Sequence, residues 1–467
     1  MNQEHLGLAY LAAALREKGY SVKIIDSLLE KLSPEDGVQW LLQIDFAILG
    51  VSFLSYAWNE TKELIWRIKW AKPEIQIILG GHFVSFTYKH ILKQLPEVDY
   101  IMLGECEYSL PLLISKLKAG DPVEEVPGIL SKDAQNIKVN PIINLDQLPF
   151  PARDYLPKVL KAGGITTMNT SRGCYGTCIF CSVHKFYRQF SVKKWRSRSA
   201  ANVVQEIEFL IKDYGVNYFD FQDDNFIGPG KNGKERAKNI ARLIGKKGIK
   251  ANYRFDLRIT DLNQEVLALW KEIGLQEVLV GIESIVSFDL KFYKKKITPE
   301  EIKAGLQMLD NLEIRYVLGS IFFHPYTKVK FVYENLRFLK EINYIDNHPL
   351  QILNVYEGTE ARKIIAYKGD LSGEFYNYHW NFKEPNTAQY FQIAYKVYRK
   401  SIFLENLLIK NRCIKEVNQL KYLSQQFLLE LAERFITHKE YSDLIVQINC
   451  NIEELYQKSK LHGGNEK

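Results

Sequence analysis

The chain has 467 residues, enough for two or three domains, and its 46% hydrophobic and 25% charged content is that of an ordinary globular protein. A net charge of +7 is modest for this length and argues against a nucleic-acid partner; the basic runs at residues 193–198 and 294–296 read as solvated surface. No apolar run approaches the ~18 residues of a membrane span, and residues 1–10 lack a basic-then-apolar signal pattern, so a cytoplasmic protein without a membrane span is expected.

Residues 6–18 have helical apolar spacing and end at Gly19, a residue suited to a helix C-cap. Residues 20–26 then read as a strand. Further strands at 46–51, 75–79 and 100–103 alternate with helices at 59–70, 88–94 and 109–118. Apolar strands alternating with helices predict a parallel sheet covered on both faces, with ligands at the carboxyl ends of its strands. Small and polar residues stand at those ends: Gly50-Val51-Ser52-Phe53, Gly80-Gly81-His82 and Gly104-Glu105-Cys106-Glu107. In residues 121–155, Pro122, Pro127, Pro141, Pro149 and Pro151 rule out a long helix and mark a connector, with a domain boundary near 150–160.

Residues 165–169 begin a second β/α array and lead into SRGCYGTCIFCSVHKFYR at 171–188. Cys174, Cys178 and Cys181 stand in a Cys-x-x-x-Cys-x-x-Cys array, with Gly173 and Gly176 letting the backbone wrap tightly. Three thiolates this close can ligate three irons of a four-iron cluster and leave the fourth open for a substrate or cosubstrate. Zinc is the competing reading, with His184 able to supply a fourth ligand. Six cysteines with three in one loop do not form a disulfide framework, and an oxygen-sensitive cluster agrees with a reducing compartment.

The alternation continues with a helix at 201–213, a strand at 217–221, a basic helix at 234–247 and strands at 250–256, 277–282, 315–323 and 351–356. Six β/α units predict a partial barrel with an open side, its catalytic loops at the carboxyl ends. Asp223 and Asp224 follow the second strand, and taken singly they read equally well as turn or N-cap residues. Arg254 and Arg258 lie at the far end of the third, where Arg258 is favoured to grip a carboxylate. Glu283 emerges from an apolar strand at the site-facing end, and His324 follows the fifth strand, where a packed role is the simpler one. Beyond Arg362, residues 388–408, 414–438 and 441–457 are helical and are expected over the barrel opening; Cys413 and Cys450 within them read as structural. Residues from Leu461 are expected to be disordered.

The cysteine array, with Phe180 just before its last cysteine, resembles the signature of the radical S-adenosylmethionine (SAM) enzymes. The resemblance implies a [4Fe-4S] cluster on Cys174, Cys178 and Cys181 whose open iron chelates SAM. Reductive cleavage then yields methionine and a 5'-deoxyadenosyl radical that abstracts a substrate hydrogen. It also implies that Asp223 or Asp224 contacts the amino group of SAM, and that Glu283 and Ser284, in the phrase Gly281-Ile282-Glu283-Ser284, help hold it. LGLAYLAAALREKGY at 6–20 and the three strand-end turns resemble the cobalamin-binding domain found ahead of many such cores, and the run at 145–151 resembles their linker. No Asp-x-His-x-x-Gly motif marks a lower axial ligand, and the family's first strand has no counterpart. Its lack either exposes a sheet edge or makes residues 20–26 pair directly with 46–51.

The expected fold is thus α/β: a Rossmann-like, flavodoxin-like parallel-sheet domain at 1–125, a linker at 126–160, a partial (β/α)6 radical SAM barrel at 161–362 and a helical region at 363–467. The function implied is radical modification of a carbon centre, with methyl transfer if cobalamin binds; dehydration, epimerisation or cyclisation without cobalamin, and a non-enzymatic iron-sulfur or zinc module, are the alternatives. The partners implied are a small-molecule, lipid or peptide substrate and a one-electron reductant such as flavodoxin or ferredoxin.

Overall fold

The structure is a computed structural model that describes residues 3–131, 136–190, 193–345 and 349–463. Its first elements are α1 (Leu6–Glu17), α2 (Pro34–Gln43), β1 (Ile48–Ser52), α3 (Trp58–Ala71), β2 (Gln76–Gly80), α4 (His82–Gln94), β3 (Tyr100–Met102), α5 (Ser109–Ala119) and β4 (Ile129–Leu130). Strands β1, β2 and β3 run parallel in that spatial order, and β4 adds antiparallel to β3. Ile77, Leu79 and Ile101 are fully buried within this unit, as two-faced coverage of a parallel sheet requires.

Residues 20–26 depart from expectation. They join no sheet among the described residues, and β1 stands at the end of its sheet, paired only with β2. A strand persists only where a ladder partner takes its backbone groups. Here side chains take some of them instead: Arg16 Nη2 donates to Val22 O at 2.7 Å, and Asp26 N donates to Tyr155 Oη at 3.1 Å.

The second array comprises α6 (Leu156–Lys161), β5 (Thr166–Met168), β6 (Ser171–Gly173), α7 (Val183–Gln189), β7 (Trp195–Ser197), α8 (Ala200–Tyr214), β8 (Tyr218–Phe221), α9 (Gly230–Lys246), β9 (Asn252–Arg258), α10 (Gln264–Glu272), β10 (Leu275–Glu283), α11 (Ser287–Phe292), α12 (Pro299–Asn311), β11 (Arg315–Ser320) and α13 (Val329–Glu341). Helix ends follow from local chemistry: Ser199 caps α8, Gly215 ends it in left-handed backbone, and Thr298 with Glu301 forms a capping box on α12. All pairings in the order β11-β10-β9-β8-β5 are parallel. The sixth strand, expected at 351–356, is reduced to a bridge between Ile352 and Phe323, with Leu353 N donating to Phe323 O at 2.7 Å.

Strand alternation divides the barrel. On β9, Tyr253, Phe255 and Leu257 bury in the main hydrophobic core, where Trp270 of α10 packs on Tyr253 and Phe255, while Arg254, Asp256 and Arg258 occupy the other face. Register sets Arg254 beside Glu277, Arg258 beside Gly281, and Gly281 beside Gly319. Arg254 bonds Asp220 at 2.8 Å and Glu277 at 3.2 Å, which ties the amino-terminal side of three strands together with charge.

After the barrel come α14 (Glu360–Tyr367), β12 (Leu371–Ser372), β13 (His379–Trp380), α15 (Pro385–Lys410), α16 (Ile414–Ile436) and α17 (Ser442–Gly463). Phe427, Leu428, Leu431 and Ala432 of α16 join the same core as Val332, Leu336 and Leu339 of α13, so the helical tail flanks an outer helix of the barrel. The turn between β12 and β13 reaches the first unit, where Phe375 packs against Trp58 and His90 at ring separations of 5.1 and 4.8 Å. Helix α17 extends to Gly463, and residues 464–467, at the end expected to be disordered, lie outside the described set. Among the described residues no helix is long and apolar enough to cross a membrane.

Candidate functional site

The cysteine loop leaves β6 at Gly173. Its φ is +90°, and a Cβ there would stand 2.3 Å from Lys194 O across the β6–β7 pair, so only glycine fits. The acidic turn after β8 grips the same backbone: Asp223 accepts from Thr170 N at 2.6 Å and Ser171 N at 3.0 Å, and Asp224 accepts from Gly173 N at 2.9 Å. Burial pushes the Asp224 carboxyl up to about 6 despite that N–H. Arg236, half-buried, donates to Thr170 O at 2.6 Å and Arg198 O at 2.9 Å. Asp223 and Asp224 are thus directed at the backbone that launches the loop.

Cys174, Cys178 and Cys181 are free thiols. Gly176 N lies 3.4 Å from Cys174 Sγ, Cys181 N donates to Cys178 O at 3.2 Å, and Ile179 pins the loop through Tyr293 O and Ala361 N, both at 3.0 Å. Phe180 meets the Tyr293 ring edge-on at 5.4 Å. Burial pushes the Cys181 thiol up to about 12 and also raises Cys174, so a metal must displace their protons on binding. Among the described residues, no three His, Cys, Asp or Glu side chains gather around a single-ion position, the cysteines with His184 included. Cubane thiolates sit on separate irons, and three free thiols on one loop are the donor type such a cluster takes.

Arg258 closes on this loop from the end of β9. Its Nη1 lies 3.8 Å from Cys178 Sγ, its guanidinium stacks over the Tyr175 ring at 5.3 Å, and a Cβ at position 176 would stand 2.2 Å from Nη1. Its Nε is buried without a hydrogen-bond partner. At the end of β10, Glu283 has φ +63° and folds its carboxylate back over two glycines: Oε1 lies 2.9 Å from where a Gly281 Cβ would be, and Oε2 lies 3.6 Å from that of Gly319. Lys295 holds it, with Nζ 2.6 Å from Glu283 Oε1 and 3.1 Å from Gly281 O. An unspent guanidinium N–H, a carboxylate and an ammonium beside three thiols fit a zwitterionic cosubstrate such as SAM. Nothing in the sequence sets Lys295 apart from Lys294 and Lys296.

Ser284 points elsewhere. Its hydroxyl lies 2.8 Å from Asp289 Oδ2 and 3.0 Å from Asn335 Oδ1, and Asp289 Oδ1 lies 3.0 Å from His324 Nε2. Ser284, Asp289 and His324 are fully buried in this network. It joins β10 to α11 and α13, as the packed role expected of His324 would have it.

The first unit meets the loop with the carboxyl ends of its strands. Glu105, after β3, takes Arg172 at 2.8 Å and Arg196 at 2.7 Å, while Glu107 takes Arg172 at 2.6 Å. Burial raises the Glu105 carboxyl, but the two guanidiniums outweigh it and hold the group below its usual range. His82 stacks on Phe186 of α7 at a ring separation of 3.8 Å. Gly81 has φ +101°, and its Cβ would stand 2.8 Å from Ser52 Oγ. Ser52, Gly80 and Gly81 therefore make a floor without side-chain bulk. Leu54 and Tyr56 beside it are 57% and 70% exposed, apolar surface suited to the broad face of a corrin.

Two family models match the chain: the B12 binding domain over residues 2–114 and the Radical SAM superfamily over residues 168–338. An uncharacterised methyltransferase of Pyrococcus horikoshii is 30% identical over 361 residues, 76% of either chain. The hopanoid C-3 methylase of Methylococcus capsulatus is 29% identical over 372 residues, 77% of this chain and 68% of the relative. The solved structure of the cobalamin-dependent SAM radical enzyme OxsB, with aqua-cobalamin and SAM bound, shares the fold at a TM-score of 0.79 and 18% identity, over 98% of this chain and 77% of that one. Family matches along both halves of the chain, together with a relative 30% identical over 76% of either chain, place this protein among the radical SAM enzymes that carry an N-terminal B12-binding domain.

Proposed function

We propose that this chain is a cobalamin-dependent radical SAM methyltransferase acting on an unactivated carbon of a small-molecule, lipid or peptide substrate. The observation that carries the reading is the facing of two sites: Glu105, at the carboxyl end of β3, grips Arg172, one residue before the glycine that opens the cysteine loop. The printed activities of the two curated relatives, a methyltransferase and a methylase, support methyl transfer. When bound, the cluster supplies one electron to the sulfonium of SAM and cobalamin supplies the methyl group.

In this reading Cys174, Cys178 and Cys181 hold the cluster. Arg258 receives the SAM carboxylate and Glu283 its ammonium, with Lys295 positioning Glu283. Asp223 and Asp224 act on SAM indirectly, by fixing the loop, and Phe180 wedges it against Tyr293. Ser52, Gly80 and Gly81 carry the corrin. Domain boundaries near 125, 160 and 362 fit the proline-rich connector, although the tail from 363 shares the barrel core. A one-electron reductant of the flavodoxin or ferredoxin type and a cytoplasmic site are proposed with it, since an oxygen-sensitive cluster needs both.

Anaerobic reconstitution tests the reading. The wild type is expected to hold about four irons, retain a corrinoid, and form 5'-deoxyadenosine and a methylated product. Cys178→Ala should lose cluster absorbance and SAM cleavage. Full cleavage by that variant, or no corrinoid bound to the wild type, would remove the proposal.

A further inference from the structure

We propose that the face carrying Lys291, Lys294 and Lys296 is the docking surface for a small acidic electron-carrier protein that reduces the cluster. The inference rests on the reading above that the Cys174/Cys178/Cys181 loop holds a redox cluster. Between α11 and α12 the backbone is left-handed at Lys294 and Lys296, with φ +53° and +56°. Lys295 is turned inward onto Glu283, while Lys291, Lys294 and Lys296 stay exposed. Those three line a cavity of about 450 Å³ floored by Leu290 and Ile297, and Glu300 is the carboxylate among its lining residues. Lys294 also pairs with Glu360, and three lysines against these two carboxylates leave the face net positive.

The backbone under these lysines touches the cysteine loop. Tyr293 O accepts from Ile179 N at 3.0 Å, and Lys295 O accepts from Arg258 Nη2 at 3.4 Å, whose Nη1 is 3.8 Å from Cys178 Sγ. One layer of chain therefore separates the basic cavity from a cluster ligand. An acidic carrier drawn to the lysines brings its donor to the short side of the protein, and complementary charge speeds and orients such encounters. The step moves one electron and no atoms: a flavodoxin hydroquinone becomes the semiquinone, and the cluster goes from the 2+ to the 1+ state.

Reconstituted holoenzyme would be compared with its K291E/K294E/K296E variant, and with K291Q/K294Q/K296Q in case charge reversal disturbs folding. Two readouts are taken, the binding of oxidised flavodoxin and the stopped-flow bleaching of cluster absorbance by flavodoxin hydroquinone. Charge reversal is expected to weaken binding and slow bleaching by about tenfold or more at low salt, with neutral substitution falling between. Iron content and reduction by dithionite should not change. Wild-type rates with flavodoxin in both variants would overturn the proposal. So would a wild type that binds single-stranded RNA or inorganic phosphate at these lysines and does not bind flavodoxin. A wild type with no dithionite-reducible cluster would overturn the parent reading, and this one with it.

Discussion

Between the charge cluster at Arg254 and the thiol loop at Arg258, β9 presents one more ionisable side chain, Asp256. Burial pushes it up to about 7; Arg254, 3.3 Å away, opposes the shift, and Asp220, Asp223 and Asp224 reinforce it. A carboxyl whose folded value lies above the ordinary 3.8 keeps a proton that the unfolded chain gives up. Its contribution to stability is therefore complete below about pH 4 and is lost as pH rises towards about 7. Asp256→Asn cannot ionise. With about a third of the Asp256 side chain in water, the stability of the wild type relative to that variant should fall by about 1 kcal/mol between about pH 5 and pH 8. Urea denaturation at the two pH values checks this, and a constant difference between the proteins would refute it.

The junction of the first unit with the barrel is made at the level of elements, by β3 and its following turn against β6 and β7. Glu105 there compensates two guanidiniums at once, and its side chain is nearly sealed from water. Arg172 and Arg196 also lie over the rings of Tyr10 and Tyr187. Removing one member of such a set leaves buried charge uncompensated, which costs about 3–5 kcal/mol. Glu105→Gln should therefore lower the unfolding free energy by that order, with a lower denaturation midpoint, and speed proteolysis of the connector at 121–155. A variant with wild-type midpoint and digestion would show that the junction does not depend on these charges. Glu105 and Arg172 are 67 residues apart, and their pairing has no signature in either segment.

On the scale of the whole molecule, the tail holds the two larger units together. Helix α16 completes the core behind α13, and the β12–β13 turn inserts Phe375 into the first unit. Leu431 is fully buried at the α16 contact, so Leu431→Ala should destabilise the protein by about 2–5 kcal/mol. Thermal unfolding followed by loss of cluster absorbance is the informative measurement, because a tail that folded by itself would melt without disturbing the cluster. This shared core is also why the helical periodicity of the tail could be read from sequence while its partner could not: an apolar face names no neighbour.

What the amino-acid order alone determined lies in short contiguous stretches. The three cysteines and their glycines fall within eighteen residues, the glycine-punctuated strand ends mark both ligand-bearing edges, and hydrophobic period located most strands and helices, because each signal is complete within one segment. Tertiary structure decided what depends on a partner from elsewhere in the chain. Residues 20–26 have a strand's composition but join no ladder among the described residues. Ser284 turns into an Asp289–Asn335 network, whereas its neighbour Glu283 turns over two glycines. Within three identical lysines only the middle one faces the thiol loop, because a left-handed backbone on either side of it sets the direction of each side chain.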